Sequence, residues 1–66
     1  MNINPYEANI LRILLKYKIF LSTRSIAQKS KMSWNTAEKY LLELEQRGWV
    51  VKRGKTLKYW KVVIEN

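Results

Sequence analysis

The absence of both cysteine and histidine constrains this chain most, because its 66 residues must fold without a disulfide or a zinc site. A chain of this length is expected to form one domain, residues 1–66. Such a small domain buries only about 60% of its unfolded surface, so it needs compact helical packing or a partner subunit. Ser-His and Cys-His catalysis are excluded. We therefore expect a protein that is not an enzyme and that binds no metal or other cofactor.

The first helix is predicted from a capping signal and an apolar period. Asn4-Pro5-Tyr6-Glu7 combines an N-cap, a proline at the first helical position and a capping-box glutamate, so a helix should run from Pro5 to about Tyr17. Its apolar residues are Tyr6, Ile10, Ile13, Leu14 and Tyr17 on one face, with Leu11 and Leu15 beside it. This arc of roughly 200° is about twice what one core needs. The helix is either wedged between two neighbours or also meets a second subunit through Leu11 and Leu15.

Two further helices follow a short β-prone segment at residues 19–21. Ser22 or Thr23 is predicted to cap a short helix over residues 24–30. Ser33 then caps a third helix from Trp34 to Arg47, which Gly48 ends. The predicted buried stripe of this third helix is Ala37, Tyr40, Leu41 and Leu44, and the predicted opposite face carries Asn35, Lys39, Leu42 and Gln46.

After Gly48 the apolar period changes to two, which indicates strands over residues 49–53 and 57–64. Gly54, near the middle of the connection, supplies the positive φ that a tight hairpin requires. The predicted fold class is therefore mainly α with a small β wing: a three-helix core followed by an antiparallel hairpin.

Basic residues are concentrated in particular segments of the chain, whose net charge is +8. Residues 22–39 carry four cations and one acid, residues 50–66 carry five cations and one acid, and residues 40–49 are net acidic. This pattern is typical of a surface that meets a polyanion. The chain has no apolar run near the ~20 residues of a membrane span and no signal-peptide pattern. We expect a cytoplasmic protein that does not contact membranes.

The order of these elements resembles a winged helix-turn-helix domain. The segment from Leu21 to Ser33 looks like the first helix and turn of that motif, with Met32 plugging the turn and Lys31 where many families have glycine. The segment from Ser33 to Val50 looks like the recognition helix leading into the wing, and its Leu-Glu-x-x-Gly-Trp-Val ending is the most specific part. The resemblance is to small bacterial, archaeal or viral transcriptional regulators, in a minimal form of the MarR and ArsR types.

The resemblance implies double-stranded DNA as the partner and a role for each basic segment. Helix 34–47 would read the major groove, and the wing, residues 50–64, would contact the backbone and the minor groove. The implied base contacts are Asn35, Thr36 and Lys39. The implied backbone contacts are Arg24, Ser25, Lys29, Lys31, Lys52 and Lys58. The implied wing tip is Arg53, Gly54 and Lys55. Trp34 is expected to pack over the turn rather than contact DNA.

Three functions are compatible with this pattern. The first is a sequence-specific, nucleoid-associated DNA-binding regulator, acting as a homodimer through Leu11 and Leu15 of the first helix. The second is an RNA-binding or ribosome-associated winged helix, whose basic surface would look the same. The third is a protein-interaction module of a transcription or replication complex, which Leu15 and Leu42 favour if they are exposed. No pattern in the sequence indicates a ligand pocket, so a small-molecule ligand is not expected.

Overall fold

Three helices pack against a three-stranded antiparallel sheet in the computed structural model, which describes residues 3–64. The elements are α1 Pro5–Tyr17, β1 Leu21–Ser22, α2 Thr23–Ser30, α3 Trp34–Gln46, β2 Val50–Arg53 and β3 Tyr59–Val62. The strand order in the sheet is β1-β3-β2, so the last strand lies in the middle. This arrangement confirms the predicted winged-helix fold class.

The N-terminus of α1 forms the predicted capping box. The Asn4 side chain accepts the backbone N–H of Glu7 at 2.8 Å, and the Glu7 carboxylate accepts the backbone N–H of Asn4 at 3.2 Å. Ile10 and Leu14 are fully buried, as the apolar period predicts. The prediction that Tyr6 belongs to the buried face is wrong, because half of its surface is exposed. Its ring is stacked on the ring of Tyr40, with the two centroids 5.3 Å apart.

Tyr17 also departs from the predicted buried face of α1. Its ring is partly exposed, and the ammonium groups of Lys16 and Lys29 lie 5.6 Å and 4.9 Å from the ring centroid. Cations close to an aromatic ring attract its electron-rich face, so the ring is stabilised at the surface without full burial.

The turn between α2 and α3 closes without glycine. Lys31 adopts φ +57°, and its N–H and that of Met32 are donated to carbonyls of the last turn of α2. The predicted bend at a non-glycine residue is thereby confirmed. Upstream, Ser22 is the N-cap and α2 begins one residue early, at Thr23. The predicted strand at residues 19–21 is displaced to Leu21–Ser22, because these two residues pair with β3.

Helix α3 begins at the predicted cap and ends one residue earlier than predicted. Ser33 accepts the backbone N–H of Thr36 at 3.1 Å, and Gly48 adopts φ +81° beyond the helix. Ala37, Leu41 and Leu44 are fully buried, whereas Tyr40 is only partly so. The placement of Leu42 on an exposed polar face is wrong: it is half-buried against the core. Since α3 contacts α1, α2 and β2, its buried arc is wider than one stripe.

The wing is less tight than predicted. Arg53 pairs with Tyr59, so residues 54–58 form a five-residue loop and β3 begins two residues later than expected. Gly54 adopts φ +92°, and a Cβ at this position would overlap the carbonyl oxygen of Leu57. The loop therefore folds back onto Gly54, and the predicted need for glycine here is confirmed.

Trp60 connects the sheet to the helices. Its side chain is fully buried, and its indole N–H is donated to the Thr23 hydroxyl at 2.8 Å. The backbone N–H of Thr23 is in turn donated to the carbonyl of Lys58 at 3.2 Å. Two hydrogen bonds thus join Thr23, the first residue of α2, to Trp60 in the middle strand and to Lys58, the residue before that strand.

We expect Thr23→Val to lower the free energy of unfolding by about 1–3 kcal/mol, because it leaves the buried indole N–H of Trp60 without its acceptor. Urea unfolding measures the change. Thr56→Val is the matched control, since Thr56 is exposed in the wing loop and should change stability little. Equal effects of the two substitutions would contradict this role of Thr23.

Candidate nucleic-acid interface

The residues predicted to contact bases lie at the N-terminal half of α3. Asn35 and Lys39 are exposed, as side chains that reach into a groove must be. The Lys39 ammonium lies 5.1 Å from the centroid of the Tyr40 ring. Thr36 is half-buried, and its hydroxyl oxygen accepts a hydrogen bond from the Ser33 hydroxyl at 2.9 Å. Asn35 and Lys39 are thus presented to solvent, whereas Thr36 also serves the helix cap.

The start of α2 carries the predicted backbone contacts Arg24 and Ser25. Arg24 is exposed, but Ser25 is half-buried and its backbone N–H is donated to the Ser22 side chain at 3.0 Å. The N–H of Thr23, two residues earlier, is donated to the carbonyl of Lys58 at the end of the wing loop. Since these two N–H groups are already engaged, a phosphate here would be held by the Arg24 guanidinium more than by the helix N-terminus. The roles of Arg24 and Ser25 stay predictions.

The predicted contacts Lys29 and Lys31 border a cleft that α1 completes. The cleft has a volume of about 210 Å³ and is lined by Asn9, Arg12, Ile13, Lys29, Ser30 and Lys31. Among these lining residues three are cations and none is acidic, so the cleft is suited to an anion. Sequence reasoning missed Arg12. The period of α1 places Arg12 on the exposed side, but nothing local indicates that the end of α2 lies next to it.

The basic residues of the wing point in different directions. The Arg53 guanidinium lies 4.1 Å from the centroid of the Phe20 ring, and the Lys61 ammonium lies 5.7 Å from the same centroid. Arg53 is exposed at the end of β2 with its guanidinium beside the Phe20 ring, and its role at the wing tip stays a prediction. Lys52 and Lys55 are exposed. The loop that starts at Gly54 contains two cations, the exposed Lys55 and, at its end, Lys58.

Lys58 connects the wing to α3. Its ammonium lies 2.8 Å from the Glu38 carboxylate, and both side chains are largely buried. Sequence reasoning placed Lys58 among the phosphate contacts and missed this pair, because the partners lie on separate elements. The second oxygen of Glu38 is buried without a hydrogen-bond partner. The pair holds the wing loop against α3 and neutralises an acid on the predicted DNA-reading helix, and a phosphate contact by Lys58 stays a prediction.

The predicted dimer residues of α1 lie in different surroundings. Leu11 is half-buried and lines a cavity of about 330 Å³ together with Gly48, Trp49, Val62 and Val63. Leu15 leaves 49% of its surface exposed. The two residues lie one helical turn apart, Leu11 is the more buried of the two, and apolar residues at the end of the sheet adjoin it. Their role in a dimer stays a prediction.

With this geometry in view, a family model described as a helix-turn-helix domain matches residues 1–50. The chain belongs to the helix-turn-helix domain family. The matched segment contains all three helices and ends at the first residue of β2, so most of the wing follows it. Membership supports a DNA-binding role. A comparison with curated proteins gave no match.

No helix within residues 3–64 has the length and apolar character to cross a membrane. In the same range, no group of three or more His, Cys, Asp or Glu side chains is placed to hold a metal ion.

We expect a double-mutant cycle on Glu38 and Lys58 to give a coupling free energy of about 1 kcal/mol, because removing either charge leaves the other largely buried without its partner. The variants are Glu38→Gln, Lys58→Met and their combination, measured by urea unfolding. The matched control is the same cycle with Lys39→Met, since Lys39 is adjacent in sequence but exposed, and its coupling should be near zero. Additive effects of Glu38→Gln and Lys58→Met would refute the pairing in solution.

Proposed function

We propose that residues 1–66 act as one DNA-binding domain that regulates transcription, has no enzymatic activity and works in the cytoplasm at the nucleoid. Helix α3 would enter the major groove, and the wing, residues 50–64, would lie along the adjoining backbone and minor groove. The observation that carries this proposal is the exposure of Asn35 and Lys39 on a capped helix whose core-facing residues, Ala37, Leu41 and Leu44, are buried. Membership of a helix-turn-helix family adds support.

The chemistry of these two side chains fits readout of base edges. An asparagine carboxamide can bond both the N6 amino group and N7 of adenine, and a lysine ammonium can donate to guanine O6 or N7. Each good base contact of this kind discriminates between bases by about 1–3 kcal/mol. Because Lys39 leans over the Tyr40 ring at the surface, its flexible side chain would swing away from that ring to reach a base.

Basic side chains around α3 would supply the affinity. Lys52 and Lys55 are exposed in the wing, Arg24 at the start of α2, and Lys31 at the turn. Each phosphate neutralised by such a cation releases a condensed counterion, so binding should weaken steeply as salt rises. The cleft lined by Arg12, Lys29 and Lys31 extends this basic surface onto α1. We include Arg12 among the backbone contacts for that reason.

We expect Arg12→Ala to make the negative slope of log affinity against log salt for duplex DNA less steep by about 0.9, equally on all sequences, because one phosphate contact is lost. Lys16→Ala is the matched control: it removes a cation from the same helix, but one that lies over the Tyr17 ring outside the cleft. Fluorescence anisotropy at several salt concentrations measures both slopes. Identical slopes for the two variants would remove Arg12 from the interface.

Selection of bound sequences from a random duplex pool tests specificity. The wild-type chain should enrich a defined site, and Lys39→Ala should enrich a broader one, with affinity for unselected DNA only slightly reduced. Structured RNA bound as tightly as duplex DNA would favour the RNA-binding alternative. Failure to enrich any sequence would favour an architectural or protein-binding role.

We also infer that the domain works as a homodimer through α1, since Leu15 is half-exposed and Leu11 adjoins an apolar cavity at the sheet end. Leu15→Lys should shift the protein from dimer to monomer in sedimentation equilibrium while leaving its free energy of unfolding per chain nearly unchanged. Ile19→Lys, which alters an exposed apolar residue outside α1, is the control. A wild-type chain that stays monomeric at all concentrations would contradict the dimer.

A further inference from the structure

A shallow cleft separates the first residue of α3 from the wing loop. Trp34 forms one wall and Leu57 the other, with Thr56 and Lys58 in the loop and Arg24 at the start of α2. Its volume is about 90 Å³. The cleft therefore lies where α2, α3 and the wing approach one another, next to the residues proposed to contact DNA.

The two apolar walls of the cleft are unusually exposed. Trp34, which the sequence predicts to pack over the turn, leaves 49% of its surface exposed, and Leu57 leaves 71%. Leu57 is held in this position by its backbone, because the Leu57 carbonyl folds onto Gly54 and the following residue is tied to Glu38. Two large apolar side chains thus face solvent across a narrow gap in a strongly basic protein, and a ligand that covered them would gain hydrophobic contact.

The size and charge of the cleft define its ligand. A volume of about 90 Å³ is enough for one face of a sugar ring. The Lys58 ammonium is already paired with Glu38, so the exposed Arg24 guanidinium supplies the cation at the rim. An uncharged ring directly attached to an anion fits this combination, and a nucleotide unit of a nucleic-acid backbone has that form.

We propose that the cleft between Trp34 and Leu57 binds one deoxyribose of the DNA backbone, with its phosphate at Arg24. The inference rests on the proposed function and adds a basis for preferring DNA to RNA. A 2′-hydroxyl pressed against the indole and the leucine would lose its hydrogen bonds to water, whereas the 2′-CH₂ of deoxyribose loses nothing. The 2′-hydroxyl is the group by which a protein distinguishes the two nucleic acids at a given site.

The test compares Trp34→Ala and Leu57→Ala with wild type on three duplexes: an A·T-rich DNA, a G·C-rich DNA and an RNA of the G·C-rich sequence. Each variant should bind both DNAs about tenfold more weakly at fixed salt. The salt slope should stay unchanged because no charge is removed. Affinity for the RNA should change little, so the preference for DNA should narrow. Ile19→Ala, at an exposed apolar residue outside the cleft, is the control for both variants.

Several results would overturn the proposal. Unchanged DNA affinity in both variants would show that the cleft does not bind DNA, while the proposed function would stand if wild type still binds duplexes. A loss confined to one of the two DNAs would assign the cleft to a base instead of a sugar. Equal losses on DNA and RNA would remove the sugar discrimination. Leu57→Ala alters only an exposed loop side chain, so its result holds even if Trp34→Ala proves unstable. A wild-type chain that binds no duplex DNA would overturn the proposed function as well.

Discussion

The buried indole of Trp60 is the contact on which the relation between sheet and helices depends. It lies on β3, the middle strand, which pairs with β1 on one side and β2 on the other. Its N–H is satisfied by Thr23, and the N–H of Thr23 by the carbonyl of Lys58. Because interiors are close-packed and buried polar groups need partners, Trp60 cannot shift without moving all three strands relative to α2. In a chain that has no cysteine and therefore no disulfide, this contact fixes the sheet to the helices.

The position of Trp60 also decides how the wing is presented. With β3 fixed against α2, Lys58 reaches Glu38 on α3, and Leu57 comes to lie across the cleft from Trp34. The wing of the free protein is thus already attached to α3, which reduces the ordering that binding would require. The pair also cancels the charge of an acid that would otherwise repel phosphates beside α3. Sequence reasoning placed Lys58 among the DNA backbone contacts, and in the free protein its ammonium is paired with Glu38.

Local signals in the sequence were sufficient for the helices. The Asn4 to Glu7 capping box, the caps at Ser22 and Ser33 and the helix end before Gly48 each depend on a few adjacent residues, and the structure places the helix ends within one residue of prediction. Contacts between distant segments were not predictable. A helical period shows which face is buried but not which element covers it, so the proximity of Arg12 to Lys31, the burial of Leu42 and the pair at Glu38 went unseen. The wing loop is longer than predicted because its length is set by the register between β2 and β3, which Gly54 alone does not fix.

The distribution of charge and apolar surface bears on how such a small domain could choose among polyanions. Lysine and arginine side chains bind the phosphates of DNA and RNA alike. A net charge of +8 therefore gives affinity for nucleic acid but does not distinguish DNA from RNA. Discrimination must come from uncharged contacts held at defined positions among the cations. In this chain those positions are few: the Asn35 carboxamide on α3, and the Trp34 and Leu57 walls beside it. The Leu57 wall is placed by the wing loop, which packs on Gly54 and is paired with Glu38 through Lys58. A change that loosened the wing without removing any charge should therefore preserve attraction to nucleic acid while weakening the choice of which one to bind.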